Sequence, residues 1–195
     1  MLIVISDLHV GSDHALLPPN FHTKAGNELG QNPLQKWIWQ QWLEFWKFVD
    51  VYRDGKPFSV IINGDVIDGY HHGTKEIWSH DEAEHGVAAY HVLKPVLKDA
   101  ESVFFIEGTE CHTKNHEHAL AAQLQTELKN VRAPERGYAF PTLDLEMNGT
   151  FIRADHHIST TSRNYLESGT LSATLGTERI ERARAGARVP DIIMR

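Results

Sequence analysis

The chain has 195 residues, 41% hydrophobic and 23% charged, with a formal net charge of −7. That is the composition of a globular protein with room for a sizeable core. The acidic balance excludes a nonspecific grip on nucleic acid through bulk charge. A lone cysteine, Cys111, excludes an intramolecular disulfide and points to a reducing compartment. The apolar start Met1 to Ile5 runs straight into Ser6-Asp7. It is too short for a signal-peptide core or a membrane span, so a soluble, cytoplasmic chain with no membrane partner is expected. The count of 13 histidines is high. Because neutral imidazole is the commonest metal ligand, their positions decide what they mean.

Leu2 to Ile5 is a continuous apolar run, as in a strand covered on both faces. It ends in Asp7-Leu8-His9. In extended backbone, residues two apart share one face, so Asp7 and His9 can reach one ion. Residues 12–35 are rich in Pro, Gly and Asn and predict a long loop, the kind that often carries function. Lys36 to Asp50 predicts an amphipathic helix. Lys36, Gln40, Glu44 and Lys47 form its polar stripe, and Trp39, Trp42, Phe45, Trp46 and Val49 face the core. Val60 to Ile62 is the next buried strand. It ends in Gly64-Asp65-Val66-Ile67-Asp68, and the unit so far is β-α-β with a right-handed crossover.

Ser79 and Glu82 fit a capping box for a helix over Asp81 to Lys98, with Pro95 as a kink or a new turn. His80, His85 and His91 read as surface or packing residues. Ser102 to Ile106 is a third buried strand, followed by Glu107-Gly108-Thr109-Glu110-Cys111-His112. Asn115 to Lys129 predicts a helix. From Gly137 the period changes to alternation: Leu143 to Met147, the hairpin signal Asn148-Gly149, and a return strand Thr150 to Asp155 that ends in His156-His157. Ser172 to Ala185 predicts a helix whose charged residues form a solvated face, and Asp191 to Met194 one more strand. No internal repeat, low-complexity tract or linker divides the chain, so one domain over 1–195 is expected.

Acidic and imidazole groups thus follow several strand ends, where ligands bind in open α/β sheets. Mixed Asp and His donors suit Mn, Fe, Zn or Co. Two ions a few ångströms apart need a bridging ligand, and a carboxylate such as Asp65 can supply it.

These motifs, in this order, resemble the calcineurin-like metallophosphoesterases. Asp7-Leu8-His9 matches that family's Asp-x-His, Gly64-Asp65-Val66-Ile67-Asp68 its Gly-Asp-x-x-Asp, and His156-His157 its histidine after a strand. The third motif departs: Gly108-Thr109-Glu110-Cys111-His112 stands where the family has Gly-Asn-His, so Glu110, or more weakly Thr109, takes the place of the asparagine. The family's Gly-His-x-His is expected directly after Met194, so the sequence reads as C-terminally incomplete, with weak metal binding and a tendency to associate. The resemblance implies an α/β fold of mixed sheets flanked by helices, a four-layer αββα sandwich. It implies two divalent ions, one on Asp7, His9 and Asp65 and the other on Asp65, Glu110 and His156. It also implies hydrolysis of a phosphoester by metal-activated water, with His112 assisting the leaving group and Asp68 orienting a ligand. The substrate class is open, nucleic acid entering only as substrate. The alternatives are a catalytically impaired or noncatalytic metal- or phosphate-binding remnant of the same fold, a Mg-dependent haloacid-dehalogenase-like phosphatase, which His9 disfavours, and a purely structural use of the histidines.

Overall fold

The computed structural model describes residues 1–71, 73–109, 116–156 and 167–195, without the side chains of 167–171 and 174. The chain divides into two compact units, Met1–Phe140 and Pro141–Arg195. The first contains β1 (Leu2–Ile5), a short hairpin of β2 (Phe21–His22) and β3 (Glu28–Leu29), α1 (Pro33–Arg53), β4 (Ser59–Asn63), α2 (Glu82–Leu97), β5 (Ser102–Ile106), α3 (His116–Glu127) and β6 (Val131–Arg132). The second contains β7 (Leu143–Met147), β8 (Thr150–Ala154), α4 (Glu167–Arg184) and β9 (Ile192–Met194).

In the first unit β1, β4, β5 and β6 form a parallel sheet in that order. Every crossover steps the same way across it, so right-handedness puts α1, α2 and α3 on one face. The register explains the core. Ile3, Val60, Val103 and Val131 align across the strands, as do Ile5, Ile62 and Phe105. These alternate residues all belong to one buried cluster with Trp42, Trp46 and Val49 of α1, Val92 and Leu93 of α2, and Leu120 and Leu124 of α3. The class is therefore mixed α/β, a parallel sheet flanked by helices.

Several boundaries differ from the sequence expectation. α1 begins at Pro33, three residues before Lys36, because Asn32 and Gln35 form a reciprocal capping box and Pro33 suits the first turn. Ser79 does not cap α2. Its hydroxyl donates to Glu84, and Asp81 caps instead, accepting from the Ala83 N–H. The helix runs through Pro95 to Leu97 rather than restarting there. The strands β2, β3 and β6 are two residues each, too short to show a period.

In the second unit Asn148 and Gly149 both have positive φ (51° and 80°), the signature of a type I′ turn, and they join β7 to β8 in antiparallel register. β9 pairs with β8 in parallel, Met194 opposite Ala154. α4 starts at Glu167, earlier than Ser172. Its charged face is only partly solvated. Glu178 and Arg182 are mostly covered, Arg182 bonding Glu178 and Asp144 at 2.6 Å each while Arg153 of β8 bonds Asp144 at 3.0 Å. No helix among the described residues is long and apolar enough to cross a membrane.

Candidate metal centre

The parallel register brings the C-terminal ends of β1, β4 and β5 to one edge, with Ile5 opposite Ile62 and Asn63 opposite Ile106. Beyond the strands, the loops after β1 and β4 stay laced together. The Asp7 N–H donates to the Gly64 carbonyl at 3.2 Å, His9 to Asp65 at 3.0 Å, Val10 to Val66 at 2.9 Å, and Asp68 back to Val10 at 3.0 Å. To turn sharply and still pair, three side-chain-bearing residues take left-handed backbone: Asp7 (φ 55°), His9 (φ 42°) and Asp65 (φ 48°). Such positions cost on the order of 1 kcal/mol or more each and cluster at functional sites.

Those same three residues converge. One donor atom from each of Asp7, His9 and Asp65 lies within 4.8 Å of the others, a group that could hold a metal ion. Asp65 is buried, His9 half-buried and Asp7 exposed, so the group opens outward from a fixed floor. Asp68 fixes the imidazole: its Oδ1 lies 3.1 Å from His9 Nδ1. With Nδ1–H given to that carboxylate, Nε2 carries the lone pair, and Nε2 is the nitrogen 3.7 Å from Asp7 Oδ1. His71 Nε2 lies 3.6 Å from the same Asp68 oxygen.

Asp65 is held by Thr109, whose backbone N–H donates at 2.7 Å and whose hydroxyl lies 3.0 Å from both carboxylate oxygens. These bonds offset part of the cost of burying a carboxylate. The buried Glu117 of α3 accepts the Val66 N–H at 3.4 Å, which ties the loop to the helix behind it. A cleft of about 470 Å³ opens over Asp7, His9, Ser12, His14 and Asp68, and among the described residues neither Lys nor Arg lines it. An anionic ligand there would meet the Asp7 and Asp68 carboxylates with no Lys or Arg among the lining residues to offset them.

Of the residues singled out in the sequence, Asp7, His9 and Asp65 come together, with Asp68 behind His9. His156 follows β8 in the second unit, half-buried. Glu110, His112 and His157 lie outside the described residues. His116 pairs with Glu82 at 2.9 Å. His118 is structural: Nε2 bonds Glu107 at 3.0 Å, and Nδ1 accepts the N–H groups of Tyr138 and Ala139 at 2.9 and 3.1 Å. Sequence reasoning gave no role to Thr109 as the holder of Asp65, because nothing in a Gly-Thr pair signals a contact 44 residues away.

It also passed over the relation of His85 to the site. His85 is wholly buried, with Nε2–H on the Ser79 carbonyl at 2.8 Å and its ring against Trp78. The ring rests on Gly11, two residues after His9; a Cβ at Gly11 would lie 2.2 Å from Nδ1. Burial, the largest effect, pushes the His85 pKa below its ordinary value, against the pull of the Ser79 carbonyl, Asp68 and Glu82. The unfolded chain therefore takes up a proton near pH 6.5 that the folded chain refuses. Stability is present above that pH and falls as pH drops through it, by up to about 1.4 kcal/mol per pH unit. Urea midpoints at neutral and mildly acidic pH should fall more in the wild type than in His85→Phe. Equal falls would contradict this role.

No family model matches this chain, and the search of curated proteins returns no match.

Proposed function

We propose that the protein hydrolyses a phosphoester, monoester or diester, at a centre of two divalent ions. The observation that carries this reading is the coincidence at one sheet edge of three left-handed residues, Asp7, His9 and Asp65, with converging donors and an oriented imidazole. The donor set, two carboxylates and one Nε2, fits Mn, Fe, Zn or Co. Such ions, when bound, would supply Lewis-acid polarisation of a phosphoryl oxygen and a nucleophile at neutral pH. Asp7, His9 and Asp65 would hold one ion, and Asp65 has the second oxygen a bridge requires. Asp68 keeps His9 Nε2 turned outward, and Thr109 keeps the Asp65 carboxylate from rotating. For Glu110 and His156 as further donors, and for His112 as the proton donor to the departing oxygen, the proposal rests on motif order in the sequence alone. So does the four-layer sandwich, while the cytoplasmic location rests on the lone cysteine, Cys111.

Calorimetric titration of metal-stripped protein with Mn or Zn, followed by assay of a nitrophenyl phosphodiester, tests the proposal. Saturable binding with metal-dependent turnover is expected. Binding without turnover would leave a metal-binding remnant, and no binding would remove the centre altogether. Within this reading, Asp68→Ala should lower metal affinity about 10–100-fold without changing stoichiometry, because it frees the His9 ring without removing a donor. An unchanged affinity would show that Asp68 does not orient His9.

A further inference from the structure

α1 has three faces, not two. Trp42, Trp46 and Val49 enter the core, while Lys36, Gln40, Glu44 and Lys47 form a polar stripe. About 120° round from the core face, at 100° per residue, runs a second apolar band: Leu34, Trp37, Ile38, Phe45, Phe48 and Tyr52, broken only by Gln41. It is open to solvent, with Trp37 57%, Phe48 62% and Tyr52 71% exposed. A helix apolar over so much of its circumference is normally covered. The four aromatic residues alone leave roughly 450 Å² uncovered, as much as the whole largest patch on a typical monomer, which is often functional.

We propose that this face is the interface of a homodimer. The band is self-complementary under the two-fold axis that a closed dimer requires. Laid antiparallel about a point level with Leu43, two copies of α1 set Leu34 against the partner's Tyr52, Ile38 against the partner's Phe48, and Gln41 against the partner's Phe45. A small or medium side chain thus meets a large one at each level. Beside Gln41, a cleft of about 330 Å³ between Val4 of the edge strand β1 and Ile38 and Phe45 of α1 can receive the partner's Phe45 ring. With Leu34 and Ile38 added, the apolar area per partner stays below the roughly 800 Å² of a standard interface and in the range of small, transient ones. A reversible dimer of micromolar affinity follows, because part of the contact energy is lost to association entropy.

Sedimentation equilibrium of the full chain over a wide concentration range tests this. A monomer–dimer equilibrium is expected, abolished by Phe48→Glu and by Tyr52→Ser, and unchanged by Val87→Glu on exposed α2 surface. Circular dichroism melts run below the dimer's dissociation constant, where all forms are monomers, should show all three variants folding cooperatively and close to the wild type, since Phe48 and Tyr52 are mostly exposed and Val87 partly so. A wild-type monomer at every concentration would overturn the proposal. So would a dimer that survives both α1 substitutions, or open-ended association of the kind an unpaired β1 edge alone would produce.

Discussion

Asp65→Asn should abolish stoichiometric metal uptake and phosphodiester turnover together. Among the described candidate ligands Asp65 is the buried one, and it is gripped by both the backbone and the side chain of Thr109. Asparagine keeps an oxygen that can accept the Thr109 N–H, so the loop should hold its shape while the charge is lost. Changing an outer-shell group typically costs 10–100-fold in affinity or activity, so removing a ligand should cost at least about 100-fold. Elemental analysis and the assay, run on protein whose melt is unchanged, give the result. Full metal content in the folded mutant would sink the bridging role.

Gly11→Ala should cost on the order of 3 kcal/mol or more, the largest stability loss for a change of one methyl group. Its φ of 121° lies well outside the left-handed well that Asp or Asn tolerates. The new Cβ would also meet the His85 ring at 2.2 to 2.5 Å, and that ring is walled in by Trp78 and Ser79. Two causes are therefore superposed, and a double-mutant cycle separates them. Adding His85→Ala should recover the steric part and leave the backbone part. A Gly11→Ala protein within about 0.5 kcal/mol of wild type by urea unfolding would show that the loop rearranges freely, against the cost expected for this site.

The fold was legible where a single local signal sufficed. Continuous apolar runs gave β1, β4 and β5, and Asn148-Gly149 gave the hairpin. Where signals competed, the reading slipped. Asn32-Pro33 looked like loop composition but is a helix cap, and Ser79 looked like a cap but bonds Glu84. The two-residue strands carry too few residues for any period. At the site, the grouping of Asp7, His9 and Asp65 was readable, because strand ends and residue types are local facts. What Thr109, His85 and Gly11 do was not, since each acts across the fold. The outer face of α1 was not legible either: Phe45 counts with the core stripe by spacing, yet it is 38% exposed and belongs to the outer apolar band.

The lacing of the two loops has a consequence for how the centre comes into being. Asp7 and Asp65 lie 58 residues apart, in loops whose left-handed backbone is held by hydrogen bonds from one loop to the other. A peptide carrying only Asp7-Leu8-His9 should therefore bind the ion far more weakly than the folded chain, as any free imidazole and carboxylate would. The centre can assemble only after β1 has found β4, a non-local step that must meet the entropy of closing the intervening chain. An ion that binds the completed arrangement more tightly than it binds the histidines of the unfolded chain then favours the native state. It should raise the melting temperature roughly in proportion to the logarithm of its concentration.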